Sequence, residues 1–307
     1  MKMKIIFESV FSLFFMMLIG VYGNKRKIIT TDINKGLIEI LIQIALPFMI
    51  LSSFLYPYDD SIKSNVIKAF YYTGIVYIIT IFLSYFVLLP IKKNKKTILH
   101  FSNVFVNTGY IGFPVLYSIY GAEGVVYGSV FNMFFVVLLW TYGLFLFKGE
   151  LKREDFKEEL RKILLNPSII AVCAGILIMI SNIPIPIPIL SSIKSIGGIT
   201  GPLSMIIIGV ILSNIKLRRY LNDWTLYYGL AIKLIGIPAI LYILSLYFWE
   251  PTKVTNTVII MSAMPASAMT AIFAESFDQE KEYAAVVVSL STLLSLFTIT
   301  LFINFIQ

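Results

Sequence analysis

The sequence holds almost none of the side chains that build metal centres or disulfides. It has 1 cysteine and 1 histidine among 307 residues, which excludes an intramolecular disulfide, a thiolate metal cluster and any site with two histidine ligands. A phosphate-cradling GxxxxGK[ST] loop is missing as well, so an ATP-driven pump or a conventional enzyme has nothing to work with. We therefore expect no catalytic residue, no cofactor and no metal, and we expect Cys173 to pack as a small apolar residue.

Charged side chains are also scarce. They make up 14% of the chain, whereas soluble domains carry about a quarter. Hydrophobic residues make up 58%, which is too many to arrange around one soluble core. The few charges gather in short clusters between long apolar runs. This pattern indicates an all-α integral membrane protein, not an enzyme, whose charged clusters are loops.

Ten apolar runs are long enough to cross a bilayer, which takes about 20 residues of helix. They cover roughly residues 4–22, 36–56, 66–89, 98–120, 124–147, 168–183, 190–214, 224–249, 254–275 and 283–306. The sixth run is the shortest. The eighth is framed by Trp224 and Trp249, aromatic residues of the kind that anchor a helix at both membrane interfaces. The chain is therefore predicted to have ten transmembrane helices.

The basic residues predict how these helices are oriented. When alternate loops are assigned to opposite faces, most of the 25 Lys and Arg residues fall on one face, including those of "NKRK", "KKNKK" and "KLRR". Loops rich in Lys and Arg stay in the cytoplasm, so we expect a multi-pass cell-membrane protein with both termini outside the cytoplasm. The net charge of +8 is then a property of topology, and no nucleic-acid partner is expected.

The most charged loop divides the ten predicted helices into five and five. Because five is an odd number, the second half is inverted relative to the first, as in many transporters. Residues 1–147 form the first five-helix repeat, 148–165 a cytoplasmic linker helix with Glu158 and Lys162 at a favourable i,i+4 spacing, and 166–307 the inverted second repeat. Prolines at similar offsets in the two halves support this division.

Helix breakers occupy the fourth predicted helix of each half. The first stretch is "NTGYIGFP", Asn107 to Pro114, and the second is "SAMPASAMT", Ser262 to Thr270. Proline removes a backbone donor and glycine permits unusual dihedrals, so both helices should unwind there. Unwound backbone survives at membrane depth only inside protein or beside a wet cavity. The half-helix N-termini, with their partial positive charge, would suit an anionic substrate.

The same residues resemble a known family. The stretch from Phe105 to Gly143 is similar to auxin efflux carriers, with their N-x-G-x-x-G-x-P pattern, a G-x-x-G turn, an asparagine and W-T-x-G. The matching residues are Asn107, Gly109, Gly112, Pro114, Gly121, Gly124, Asn132, Trp140, Thr141 and Gly143. "SAMPASAMTAIFAESF" resembles the proline-centred ninth helix of that family, and the similarity extends over the whole chain.

The resemblance implies a fold and a function. Helices 4 and 9 would cross at their prolines, helices 1, 2, 6 and 7 would form a scaffold, and the other six an elevator-type transport bundle. Small organic anions would be the substrates, malonate in bacterial relatives and auxin in plant ones. The chain lacks the long central loop of the plant proteins and has Thr270 where an asparagine amide is expected, so bacterial or archaeal malonate-transporter-like members are the better comparison.

Lysine and glutamate inside the predicted helices are the other informative residues. Lys233 lies nine residues beyond Trp224, a depth at which a lysine usually faces a cavity or a partner, although it could also snorkel to the interface. It could attract the substrate carboxylate or replace the ion of a sodium-coupled relative. Glu39 lies near a predicted helix end and is expected at the interface, although it is the residue to test as a proton carrier, and His100, beside "KKNKK", is also expected at the interface.

These observations favour a secondary carrier of mono- or dicarboxylates that works by alternating access. The alternatives are a sodium-coupled symporter of the bile-acid type, for which Gln43 and Asn107 are the main amide ligands, and a passive channel or membrane sensor. Expected partners are the organic anion, coupled protons, the lipid bilayer and a second copy in a homodimer. The candidate substrate-binding residues are Asn107, Gly109, Gly112, Pro114, Ser262, Pro265, Ser267, Thr270, Lys233, Gln43 and Asn132.

Overall fold

The computed structural model describes residues 2–55, 61–149, 153–181, 183–213, 220 and 222–306, without the side chains of 2–11, 13, 14, 153–157 and 212. Its regular structure in these ranges is helical, apart from one isolated β-bridge. The class predicted from composition, an all-α protein, is confirmed for this part of the chain. The first residues of the predicted linker, 150–152, lie outside the described residues.

The first half of the chain forms seven α-helices and three π-helical turns. The helices are α1 Lys2–Lys25, α2 Thr31–Ile40, α3 Leu46–Phe54, α4 Ser61–Val87, α5 Lys93–Val104, α6 Phe113–Leu138 and α7 Leu144–Lys148. The π turns are Leu41–Ala45, Thr108–Gly112 and Leu139–Gly143. Gly121 interrupts α6 with φ 61° and ψ −148°, a backbone conformation that only glycine adopts without strain.

The second half begins with α8, the linker helix, and contains one π turn. The helices are α8 Arg153–Leu164, α9 Pro167–Ser181, α10 Ile187–Gly198, α11 Thr200–Ser213, α12 Trp224–Ala231, α13 Ile237–Phe248, α14 Lys253–Ser262, α15 Met269–Ser276 and α16 Lys281–Ile306. The π turn is Ile232–Gly236. In α8, Lys162 Nζ lies 3.3 Å from Glu158 Oε1, which confirms the predicted i,i+4 pair.

Six helical segments of the described chain are long and apolar enough to cross a membrane, or seven if the bent pair Glu158–Leu164 and Pro167–Ser181 counts as one. Fewer qualify than the ten predicted, because the ninth run is broken into helices of 10 and 8 residues and the fourth is broken after α5. The first run falls largely on residues whose side chains are not described. The second part of the fourth run also continues through Gly121 into the fifth, so that Thr108–Lys148 is counted once. The number of ten spans stays a prediction.

Three of the four π turns have a simple cause in the sequence. Pro47, Pro114 and Pro238 each stand two residues after a π turn. A proline has no N–H to donate to the preceding turn, and the turn widens to relieve the clash of its ring with that backbone. The fourth π turn, Leu139–Gly143, has no proline after it, and nothing in the structure explains it.

The helices pack through small residues, as membrane helices commonly do. α1 and α11 approach so closely that a Cβ on Gly20 would lie 2.1 Å from the Ile206 carbonyl oxygen, and one on Gly209 would lie 2.0 Å from that of Met17. A separate, larger cluster of aromatic and aliphatic side chains fills the space between α5, α6, α14 and α16. Both broken helices pass through this cluster, and it fixes their position.

Candidate functional site

The first break begins earlier than the sequence predicted. α5 ends at Val104, residues 105–107 are non-helical, and the chain turns helical again at Thr108. Pro114 is not at the break but in the first turn of α6. Of the stretch from Asn107 to Pro114, where the sequence predicted unwinding, only Asn107 is non-helical. Asn107 decides the position, because its side chain caps the new helix and makes an early restart favourable.

The second break spans residues 263–268, between α14 and α15. Pro265 lies inside it, as predicted. Ser262 is the last residue of α14, and its Oγ donates to the Ile259 carbonyl oxygen at 2.7 Å. Thr270 lies in the first turn of α15, fully buried, and its Oγ1 has no hydrogen-bond partner among the described residues.

The two breaks contact each other through their main chains. Asn107 N donates to the Pro265 carbonyl oxygen at 2.8 Å, and Ser267 N donates to the Phe105 carbonyl oxygen at 2.9 Å. Between them, Val106 and Ala266 form an antiparallel β-bridge. These bonds satisfy backbone groups that unwinding would otherwise leave unpaired in an apolar interior. We call the segments 105–107 and 263–268, joined in this way, the paired breaks.

Polar side chains cap the helices that start at the paired breaks. Asn107 Oδ1 accepts from Tyr110 N at 3.0 Å. Ser267 Oγ accepts from Met269 N at 3.2 Å. Both second half-helices therefore begin at the same contact, and their N-terminal partial positive charges lie close together. An anion bound here would be stabilised by both helix ends.

Neighbouring helices add further polar groups. From the middle of α6, Asn132 Oδ1 accepts from Thr108 Oγ1 at 2.7 Å. From α16, Ser291 Oγ accepts from Ala266 N at 3.1 Å. The structure thus brings Asn107 and Asn132 together with Pro265 and Ser267. Sequence reasoning missed Thr108 and Ser291, although Ser291 stands 159 residues after Asn132, close to the offset between the two breaks.

Gly109 and Gly112 lie on the π turn that follows the first break, and Gln43 lies on a different π turn. Gly112 N donates to the Asn107 carbonyl oxygen at 3.0 Å, and a Cβ on Gly112 would lie 2.9 Å from Met261 Sδ. Gly109 is partly buried, and a Cβ there would make ordinary contact with Leu46 at 3.5 Å. Gln43 is exposed on its π turn.

Lys233 is buried and holds the end of the first broken helix. Its side chain is 1% exposed, and Nζ donates to the Asn103 carbonyl oxygen at 3.1 Å. Asn103 belongs to the last turn of α5, where free carbonyl groups carry a partial negative charge. The lysine therefore does not snorkel, and its amino group binds a carbonyl at the C-terminal end of a half-helix, two residues before the paired breaks.

The structure locates three other residues singled out in the sequence. His100 is buried at 3% exposure between Ser84 and Tyr142, and its position at the membrane interface stays a prediction. Cys173, expected to pack inside the protein, is exposed on α9, and Glu39 is exposed on α2. An apolar run cannot reveal which of its faces meets protein and which meets lipid, because both are apolar.

A cavity of about 260 Å³ lies between the second half of the first broken helix and the helices α1, α3, α10 and α11. Its lining includes Pro114, Tyr117 and Ser118 on one side and Lys194 and Pro202 on the other. The volume is sufficient for a small organic anion, and Lys194 brings a cation to the wall. One wall of the cavity is formed by the half-helix that Asn107 caps.

Comparison with known proteins places this arrangement in a family. A family model described as "Membrane transport protein" matches residues 5–303. An uncharacterized transporter of Methanothermobacter thermautotrophicus is 23% identical over 305 residues, which cover 96% of each chain. An uncharacterized transporter of Methanocaldococcus jannaschii is 24% identical over 299 residues, covering 93% of this chain and 94% of the other. The resemblance to auxin efflux carriers seen in the sequence is thereby confirmed.

Proposed function

The chain belongs to the membrane transport protein family, a family of transporters and not of enzymes, and we propose that it is a secondary active transporter of small organic anions. It carries mono- or dicarboxylates across the cell membrane by alternating access. The anion binds at the paired breaks, where Asn107 and the two half-helix N-termini supply hydrogen-bond donors and positive potential.

The observation that carries this proposal is the meeting of two capped half-helices. One broken helix alone is explained as a kink. Two broken helices whose non-helical segments bond to each other, with a cap at the start of each second half, resemble the discontinuous helices that bind anions in transporters. Asn107 uses Oδ1 for its cap, so its Nδ2 hydrogens remain to reach a carboxylate.

The proposed architecture is ten helices in two inverted five-helix repeats, 1–147 and 166–307, joined by the linker 148–165. Pairs of equivalent residues support it. Lys95 and Lys253 differ by 158 positions, Val106 and Ala266 by 160. Each lysine lies in the first turn of a broken helix and bonds a carboxylate, Lys95 with Asp223 and Lys253 with Glu123.

In this proposal, helices 1, 2, 6 and 7 form the scaffold and the other six move as an elevator-type bundle. The cavity beside Pro114 lies between these two parts, as an access route from one side of the membrane would. Lys194 attracts the anion into the cavity. Gly109, Gly112, Ser262 and Thr270 shape the site from adjacent turns, while Gln43 lies on the scaffold side. A homodimer and both termini outside the cytoplasm complete the proposal.

The position of Lys233 argues against sodium coupling. A sodium ion would need several oxygen ligands at the end of the broken helix, and the ammonium of Lys233 already meets the Asn103 carbonyl there. Because a lysine amino group already binds this carbonyl, we expect an anion, and not a metal ion, to complete the site.

Uptake into proteoliposomes tests the proposed function. Purified protein is screened by thermal shift with acetate, lactate, malonate and succinate, and a radiolabelled compound that raises the melting temperature is then used for uptake. Counterflow, in which unlabelled anion inside drives accumulation of label against its gradient, is the expected result. Equilibration without counterflow would indicate a channel, and dependence on sodium would favour the symporter.

Orientation has a separate test. Cysteine replaces Lys93 or Glu250 in a Cys173→Ala background, since Cys173 is itself exposed. In intact cells, an impermeant thiol reagent should label the cysteine at position 250 and spare the one at 93. The opposite labelling pattern would reverse the proposed topology.

A further inference from the structure

A run of hydrogen bonds connects Asn103, two residues before the paired breaks, with the single histidine of the chain. Lys233 Nζ donates to the Asn103 carbonyl oxygen at 3.1 Å, and Asn103 Nδ2 donates to Ser84 Oγ at 2.9 Å. Ser84 Oγ lies 2.8 Å from His100 Nδ1, and His100 Nε2 lies 2.7 Å from the Tyr142 hydroxyl. Anion binding at the paired breaks gives no role to Ser84, His100 and Tyr142.

The donors in this run fix the state of a neutral histidine. Ser84 Oγ accepts from Asn103, so the hydroxyl hydrogen of Ser84 is available to His100 Nδ1. His100 then carries its own proton on Nε2 and donates it to Tyr142. A second proton would enter at Nδ1 and reverse the bond to Ser84, whose oxygen would then accept from His100 and whose own hydrogen would need an acceptor.

Asn103 offers a hydrogen-bond acceptor for the state in which protonated His100 donates to Ser84. Asn103 Oδ1 is buried and has no hydrogen-bond partner among the described residues. Once His100 donates to Ser84, the Ser84 hydrogen needs a new acceptor, and a turn of the Asn103 amide presents Oδ1 to it. The network therefore accommodates two protonation states of the imidazole without moving a helix.

The groups around His100 link its protonation to an anion. Lys96, one turn earlier on α5, acts on it electrostatically, and Lys233 is connected to it through Asn103. The rings that face it belong to Tyr85 of α4, at 6.5 Å between centroids, and Tyr142. The charge of Lys96 opposes a positive charge on His100, so a protonated His100 becomes more favourable when an anion binds nearby. His100 precedes Phe105 by five residues, about 7.5 Å along a helix.

We propose that His100 is the proton-binding site through which this carrier couples anion transport to a proton gradient. This inference rests on the proposed function. Ser84, His100, Tyr142 and Lys233 all lie on helices of the proposed moving bundle, so a proton on Nδ1 travels with the anion. It enters with the anion on one side of the membrane and leaves with it on the other, which makes the carrier a proton–anion symporter.

Nuclear magnetic resonance can test the site directly, because the only histidine is His100. Protein labelled with [15N]histidine in nanodiscs is titrated from pH 8.5 to 5, with and without malonate. The expected spectrum is the Nε2–H tautomer at high pH, with protonation on acidification and a midpoint that malonate moves to higher pH. A histidine that stays neutral to pH 5 in both samples, or a midpoint that malonate leaves unchanged while it binds, overturns the proposal.

Linkage supplies a second measurement. If one proton binds with each anion, malonate affinity should change by up to about tenfold per pH unit on the alkaline side of the midpoint, weakening as pH rises. His100→Gln keeps an amide N–H for Tyr142 but cannot titrate, so its affinity should not depend on pH. An inward proton gradient should no longer drive malonate accumulation in vesicles of this variant.

Tyr85→Phe is the matched control, because it preserves the ring beside His100 and removes only a hydroxyl outside the hydrogen-bond run. It should retain gradient-driven accumulation. Accumulation by His100→Gln that equals the parent's would overturn the proposal. If malonate and the other carboxylates bind to neither protein, the proposed function fails, and the histidine titration in the absence of ligand still decides whether His100 is a proton site.

Discussion

The two breaks differ in what their capping residues leave available. Asn107 caps its helix with Oδ1 and keeps two amide hydrogens, whereas Ser267 caps with Oγ and keeps one hydroxyl hydrogen. The first break has three non-helical residues and continues into a long helix, while the second has six and continues into the eight residues of α15. The two breaks therefore have similar backbones but different side-chain donors, and the first break offers more hydrogen-bond donors to a carboxylate.

The largest expected effect comes from placing a carboxylate at the first cap. Asn107→Asp retains an oxygen that accepts from Tyr110 N, so the fold should survive, but it replaces both amide donors with a negative charge. Anion binding should be lost. Asn107→Ala should weaken binding by tenfold to a hundredfold, about 1–3 kcal/mol for contacts in a desolvated site. Calorimetry with malonate, alongside melting temperatures, measures both. Normal affinity in a folded Asn107→Asp protein would move the site elsewhere.

The prolines of the two regions should respond differently. Pro265 lies within its break, so Pro265→Ala supplies an N–H that allows the helix to re-form across the gap. Transport should fall by about tenfold. Pro114 lies inside a helix that is already formed, and Pro114→Ala should mainly tighten the π turn at Thr108–Gly112, with a smaller loss of transport. Counterflow rates and melting curves compare them, and equal losses would show that both prolines merely kink their helices.

A smaller effect is expected at the second cap. Ser267→Ala removes the acceptor for Met269 N and should cost about 0.5–2 kcal/mol of stability, with a loss of affinity below that of Asn107→Ala. Ser267→Asn should restore stability and make the second break a copy of the first. If Ser267→Ala reduces affinity more than Asn107→Ala does, the second break, and not the first, makes the larger contribution to anion binding.

The smallest expected effect concerns a pair at the start of the first broken helix. Burial alone would raise the pKa of Asp223, but hydrogen bonds from Lys95 and Thr225 and the charge of Lys95 hold this pKa below its ordinary value. A carboxylate with a lowered pKa stabilises the fold at neutral pH and loses that contribution as the pH falls through the lowered value. Asp223→Asn should melt below the parent at pH 7, and the difference should shrink below about pH 4.

Melting temperatures from pH 3 to 8 test this prediction. Glu123→Gln, which alters the pair with Lys253 at the other broken helix, is the control for a lost ion pair. A difference between Asp223→Asn and the parent that grows towards acid would contradict the stabilising role of the charged carboxylate.

Local signals in the sequence predicted much of the fold. Apolar runs and their breakers located the helices and the two interrupted ones, because a bilayer demands long apolar segments and rejects unpaired backbone. The ion pair of Glu158 and Lys162 followed from spacing alone. The exact start of the first break could not be predicted from spacing. The cap of Asn107 favours a helix from Thr108, whereas the glycines and the proline downstream favour unwinding, and spacing does not show which effect is larger.

Long-range packing determined what the sequence could not give. The burial of His100 depends on Ser84 and Tyr142, which come from two other helices, and the role of Lys233 depends on where α5 ends. The partners of the paired breaks are separated by about 160 residues, so only the folded chain reveals that Pro265 pairs with Asn107 and Ser267 with Phe105.

The link between the paired breaks is made by main-chain N–H and carbonyl groups, which every residue except proline supplies in full. Inherited changes of side chain at positions 105–107 and 265–267 therefore leave the junction itself intact. Related proteins can therefore exchange the side chains that contact the substrate without changing the main-chain hydrogen bonds between the two breaks. A single architecture could in this way acquire new substrates by a few substitutions, each tested by selection on a frame that still assembles.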